Sequence, residues 1–364
     1  MLRVPSGRAL RACGMMRAAR VAVLAAVLAL AGCGNLGYYW QSVGGQFDIW
    51  QREVPIERLL ADPGIDPALK AQLERALRIR DYASRELGLP DNRSYRSYAD
   101  LARPFVVWNV FAAPEFSLLP KQWCFPFAGC VNYRGYFSED EARAMAERLK
   151  AEGHDVHVGG VPAYSTIGWF ADPVLNTFIR YPEPELARLL FHELAHQVVY
   201  VRDDTVFNES FATVVEQAGV ARWLAAHGSE ADRARHAKLQ QFRERFRRLV
   251  AQTRSELAAL YAADLPAAEK RRRKAEAFAA LKQAYAEERR DWGGFPGFDR
   301  WFAQPLGNAH LVSVAIYTQQ VPAFEALLRQ QDNDLGRFYR AVRELAALPA
   351  AERRHRLAAL APLL

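Results

Sequence analysis

Residues 186–200 read LARLLFHELAHQVVY, and this stretch decides the fold. Its apolar residues recur at three- and four-residue steps, the period of an α-helix with a buried face. Pro182-Glu183-Pro184-Glu185 opens it: proline is tolerated in a first helical turn, and acids suit its positive end. His192 and His196 are four residues apart, so their imidazoles leave one face one turn apart and can close on a single metal ion. Glu193 sits beside that metal, where a carboxylate can take a proton from water. Two histidines do not hold a catalytic metal, so a third protein ligand is required. A short link, RDDT, leads into a second helix over residues 207–226, which so short a link must return antiparallel. Glu209, in Phe207-Asn208-Glu209-Ser210-Phe211-Ala212, is therefore the expected third ligand. Glu216, two turns along the same face, is the competing ligand or a support for a ligand histidine, and Asn208 and Thr213 are further supports.

Upstream, the pattern is mixed. Asp66-Pro67 starts an amphipathic helix running to about residue 87. PFVVWNVFAA (104–113), NYRGYF (132–137), DVHVGGV (155–161) and AYSTIGWF (163–170) read as strands, and Ser138 caps a helix between the second and third. Downstream of Glu183 the chain reads as helix almost to its end. Residues 231–300 carry seventeen bases and ten acids in two long stretches broken near Asp264-Leu265-Pro266, the pattern of a protruding antiparallel helix pair. Its RFRR and KRRRK clusters read either as a solvated face or as a contact for anionic lipid headgroups. The expected architecture is α+β in two parts: a mixed region over 55–182 and a helical, metal-binding region over 183–364. No window after residue 32 reads as a membrane-spanning helix.

The chain has 364 residues and a net charge of +7. Five arginines of the first 32 residues, which hold no lysine and no acid, account for most of it; the rest nets only +2. The basicity is thus no sign of nucleic acid, and no aromatic interleaving supports one. The arginines precede VAVLAAVLALA (21–31), an apolar run of signal-peptide length, which ends in Leu30-Ala31-Gly32-Cys33. Residues 1–32 read as an export leader and 33–54 as a tether. In the oxidising compartment this implies, Cys124 and Cys130 of WCFPFAGC are expected to form a local disulfide; a metal site there would lack nearby His or Cys partners.

The end of the leader resembles a bacterial lipobox, which implies acylation of Cys33. Gly34 stands where an inner-membrane retention signal places Asp, so the resemblance implies anchoring in the outer membrane, facing the periplasm. The HELAHQ and NESFA elements resemble the gluzincin class of zinc peptidases, with two departures: the spacing to Glu209 is short, and Thr213 stands where an Asp often orients a ligand histidine. A third histidine at the metzincin spacing is absent. Together with WCFPFAGCVNYRGYF, AYSTIGWFADPVLNTF, NAH, AIY and VPAF, these elements resemble the bacterial putative aminopeptidase family from about Gln46 to Leu328. The resemblance implies a zincin-like fold, one zinc ion, a peptide substrate and Glu193 as general base. It implies an oxyanion donor from the C-terminal helices, for which Tyr317 and His310 of NAHLVSVAIY are candidates; core packing is the alternative for each. It also places AYSTIGWF as the substrate-pairing edge strand, with Tyr164, Ser165 and Trp169 lining it unless they are ordinary strand side chains. An aminopeptidase needs an acid for the substrate's α-amine, and Asp172, Glu183 and Glu185 are near in sequence. Endopeptidase action is the close alternative, and a non-catalytic envelope lipoprotein that keeps its zinc fold is a further one.

Overall fold

The computed structural model describes residues 37–125 and 129–360; the leader and Cys33 lie outside the described residues. The chain divides into two compact units, Met1–Ile49 and Trp50–Leu364. Helix α1 (residues 37–52) forms the described part of the first unit and runs into the second, so the aromatic segment expected as a tether is helical. There follow β1 (Val54–Pro55), α2 (Ile56–Leu60), α3 (Pro67–Arg85), β2 (Ser97–Ala99), β3 (Val107–Pro114), β4 (Trp123–Phe125), β5 (Gly129–Val131), β6 (Arg134–Tyr136), α4 (Glu139–Ala151), β7 (His154–Val161) and β8 (Val174–Leu175). The remainder is helical: α5 (Glu183–Ala195), α6 (Thr205–His227), α7 (Glu230–Ala262), α8 (Ala267–Asp291), α9 (Asp299–Phe302), α10 (Asn308–Thr318), α11 (Val321–Gln330), α12 (Leu335–Ala347) and α13 (Ala350–Leu360). The mixed region and the helical region therefore follow one another as expected.

Three small sheets carry the strands. In the largest, β3 lies between β6 and β7 and pairs antiparallel with both, Val110 opposite Val158 and Trp108 opposite Tyr136. Side chains on both faces of β3 are buried, which accounts for its unbroken apolar run. A second sheet has the order β1-β2-β8, and β4 and β5 form a hairpin. Cys124 and Cys130 face each other across that hairpin and are joined by a disulfide, as the spacing predicts. The Asp66 and Ser138 side chains accept backbone N–H groups at the starts of α3 and α4, as expected of N-caps.

AYSTIGWF is not a strand. Ile167 and Gly168 have φ of +58° and +79°, so the backbone turns there. Asp172 closes the turn by accepting the Thr166 N–H (3.1 Å) and the Ser165 hydroxyl (3.5 Å). A carboxylate offering local acceptors to Ser and Thr outcompeted the strand propensity of the aromatics.

The charged stretches form the helices α7 and α8. They share a core in which Phe242, Phe246, Val250 and Leu257 meet Phe278, Leu281 and Tyr285, and Leu311 of α10 joins it. The basic clusters are internally matched. Arg245 pairs with Glu288, Arg247 and Arg248 with Glu244, Arg271 with Glu115, Arg272 and Arg273 with Glu269, and Lys274 with Asp155. Lys270 donates to the Tyr261 carbonyl. Residues Asn308–Gln330, with a mean hydropathy of 1.2, are long and apolar enough to cross a membrane, contrary to the sequence reading. Here they form α10 and α11, and Leu311, Val312, Ile316 and Phe324 are buried in the protein core.

Candidate metal centre

Helix α5 is buried on nearly every side, with Leu186, Ala187, Leu190, Phe191, Leu194 and Ala195 in the core. Helix α6 returns along it, as the short link required. Asn208 fixes the return: its side-chain carbonyl accepts the Val201 N–H (2.7 Å) and its amide donates to the Val201 carbonyl (2.8 Å). The disulfide hairpin leans on the same link, where the Cys130 N–H donates to Asp203 (2.5 Å).

The return brings Glu209 to the two histidines. Its Oε2 lies 3.2 Å from His192 Nε2 and 3.7 Å from His196 Nε2. The two rings stand at 85°, centroids 4.9 Å apart. One ligand atom from each of His192, His196 and Glu209 falls within 4.8 Å of the others, and all three residues are buried. Glu216 approaches from the opposite side of His192: its Oε2 is 3.0 Å from Nδ1. It therefore acts on the other nitrogen and leaves Nε2 to the shared centre. A carboxylate on the far nitrogen fixes the tautomer and orientation of a ligand imidazole, the part that Thr213 could not play. Thr213 instead donates its hydroxyl to the Tyr317 carbonyl (3.3 Å), tying α6 to α10.

Glu216 is in turn held by a chain of ions. Arg188 Nη1 donates to it (3.0 Å), Arg188 Nε donates to Glu185 (3.0 Å), and Arg243 Nη2 donates to the same Glu185 oxygen (2.6 Å). Sequence reasoning missed both arginines and considered Glu185 only as an acid for the substrate's α-amine. Arg188 was accessible, since it precedes His192 by four and shares its face. Arg243 lies 58 positions from Glu185 and left no local sign.

Burial disfavours charge on every group here, and the carboxylates decide where positive charge is kept. Burial works against a proton on His192, yet Glu209 and Glu216, one at each nitrogen, hold its pKa up to about 10. His196 has no such pair, and burial lowers it to about 4. The space between the imidazoles and Glu209 thus favours a cation, and two imidazoles with one carboxylate are the donor set of a zinc site. Burial raises Glu193 to about 7 against the pull of His192, with Glu209, Asp172 and Glu216 adding to the rise. A carboxyl at that value can exchange protons near neutral pH.

Tyr317 comes to this centre: its ring lies 6.3 Å from that of His192. Burial, then the charges of Glu209, Glu193 and Glu216 with the Tyr133 ring, push its hydroxyl well above the usual tyrosine value, so it stays a donor. His310 does not join it. At the other end of α10 its ring packs tilted against His157 (4.2 Å) and edge-on to Trp301 (5.6 Å). Seven residues keep two side chains on one helical side but separate them by two turns, about 10 Å, which the shared-face reading ignored. Of the AYSTIGWF residues, Ser165 is spent on Asp172, Tyr164 meets Phe137 edge-on at 5.8 Å, and Trp169 is 73% exposed. The turn sits against the end of α5: Gly168 faces the Gln197 side chain, and Gln197 donates to Ser94 Oγ (3.2 Å). Glu183 is engaged by Arg75 and the Trp223 indole N–H, and Glu185 by its two arginines. Asp172, whose pKa burial raises to about 6, is the acid among the three whose charge reaches Glu193. Tyr95, unforeseen in the sequence, is buried beside Glu193, whose charge adds to burial in raising its hydroxyl.

Residues 37–357 match the protein family described as “Putative aminopeptidase”. No curated protein and no solved structure matches the chain.

Proposed function

The chain belongs to the family described as “Putative aminopeptidase”, and from that membership and its site we propose that it is a zinc-dependent peptidase of the aminopeptidase type. The observation that carries this reading is the convergence of His192, His196 and Glu209 beside the Glu193 carboxyl. His192, His196 and Glu209 would hold the ion. Bound there, zinc supplies Lewis acidity, which polarises a scissile carbonyl and makes water a competent nucleophile near neutral pH. Glu193 takes the proton from the attacking water and returns it to the departing amine. The Tyr317 hydroxyl donates to the oxygen that gains charge as the carbonyl becomes tetrahedral. Glu216 keeps the His192 ring turned, and Arg188 keeps Glu216 charged. In the exopeptidase reading Asp172, whose charge is felt at Glu193, is assigned the free α-amine. Acylation at Cys33 and a place on the periplasmic side of the outer membrane complete the reading.

The test is a comparison of wild type with Glu193→Gln on free and N-acetylated peptides, with metal content measured on both. We expect Glu193→Gln to keep its zinc and lose hydrolysis, and wild type to cleave only the free peptides. Cleavage of both peptide sets would make it an endopeptidase. A fully active Glu193→Gln, or a zinc-loaded wild type that cleaves neither set, would remove the peptidase reading.

A further inference from the structure

Helix α1 presents an aromatic face that the peptidase chemistry does not use. Trp40 is 81% exposed, Val43 66%, Phe47 53% and Trp50 41%. Their spacing of three, four and three keeps them within about 80° of arc on a helix. Ile49, near the opposite pole, is buried. The only charged residues of the helix are Asp48 and Arg52, both outside that arc. Apolar side chains of this size left in water are unfavourable, and one contiguous face of them marks an interaction surface.

We propose that this face of α1 seats in the headgroup layer of a lipid bilayer. Three observations favour a bilayer over a protein partner. Trp40, Trp50 and the neighbouring Tyr39 are the side chains that prefer the membrane–water interface, where the ring is buried and its polar edge stays wet. Only residues 34–36 separate the helix from Cys33, a reach of about 14 Å, so an acyl chain on that cysteine would hold α1 at the surface. Exposure also falls from Trp40 to Trp50, so the most open residue is the one nearest Cys33. The contact would be a second hold beside the acyl anchor. The inference rests on the acylation reading of Cys33, and the experiment separates the two.

Gly44 supplies the probe. It lies one turn from both Trp40 and Phe47, and a Cβ built there meets nothing within 4 Å. Gly44→Glu therefore puts a charge at the edge of the face, next to Trp40, without disturbing packing, and it favours the helix. The mature chain isolated from membranes is reconstituted into phosphatidylethanolamine–phosphatidylglycerol vesicles containing brominated lipid, and its N-terminal peptide is weighed. The Trp40 signal is the difference between wild type and Trp40→Phe. We expect an acylated Cys33, Trp40 emission quenched by shallow bromines, and loss of that quenching in Gly44→Glu while the protein stays on the vesicles. An acylated chain with unquenched Trp40 overturns the proposal and leaves the anchor intact. An unacylated chain overturns the anchor, and the same quenching measurement on added protein then judges the helix alone. Self-association that Gly44→Glu abolishes, with no quenching, would make a second copy the occupant and overturn the bilayer.

Discussion

At the residue scale, the candidate centre is a problem of where buried charge is kept. His192 is gripped at both nitrogens by carboxylates, and His196 at one. Glu216 stands outside the three-residue cluster, against the Nδ1 of His192. Glu216→Gln keeps the shape and removes the charge, so it should weaken metal affinity about 10–100-fold. Competition with a chelator measures this, and an unchanged affinity would return Glu216 to a purely structural part. The proposed mechanism gives Tyr317 the complementary task on the substrate side. Tyr317→Phe should leave the metal in place and lower kcat about 10²–10³-fold, as loss of an oxyanion donor does. Unaltered kcat with normal metal content would assign the ring to packing.

At the element scale, the site depends on how closely α5 and α6 cross. Gly219 of α6 marks the nearest approach: a Cβ there would lie 2.7 Å from Phe191 and 2.9 Å from Leu87. Phe191 precedes the first ligand histidine, so pressure at this point acts on the site itself. Overpacking of a core costs about 1–3 kcal/mol, against about 1 kcal/mol regained in helix propensity. Gly219→Ala should therefore lower the denaturation midpoint and loosen metal binding together. If the midpoint rises instead, the crossing has slack that the packing does not show. The helix pairing itself was legible, because a short link after a buried helix leaves little choice. The turn at Ile167–Gly168 was not, because an aromatic run reads as strand until the partner of Ser165 and Thr166, Asp172, is seen to fold back on them.

At the scale of the whole molecule, the basic composition changes meaning. Most bases of the α7 and α8 clusters pair with acids, two of which, Glu115 and Asp155, come from outside the helix pair. Exposed pairs of this kind contribute little each, but they leave the surface less cationic than the sequence suggests. A different charge effect governs acid stability. His157 and His310, packed against each other between β7 and α10, are held neutral by burial, with pKa values lowered to about 4 and about 3; His157 and Lys282 add to the lowering at His310. A depressed folded-state value means the unfolded chain binds the extra protons. Stability is therefore complete above the unfolded histidine value of about 6.5 and is lost as pH falls, by about 1.4 kcal/mol per unit for each group. Denaturation of the metal-free protein at about pH 7 and about pH 5 checks this, with His157→Gln expected to flatten the difference. Equal stability at both pH values would show that the pair is hydrated.

The sequence by itself determined the helix that carries His192 and His196, the third residue of the candidate cluster, the disulfide and the order of a mixed region before a helical one. All of these follow from spacing along one chain, because helical period, link length and cysteine separation are local quantities. Only the tertiary structure decided that Glu216 meets Nδ1 of His192 outside the cluster, that Tyr317 comes near His192 while His310 does not, and that Asp172, which holds a turn, has its charge felt at Glu193. Those outcomes depend on which side chains meet across elements far apart in the chain, and in a buried site the partner met decides the charge, the tautomer and so the chemistry.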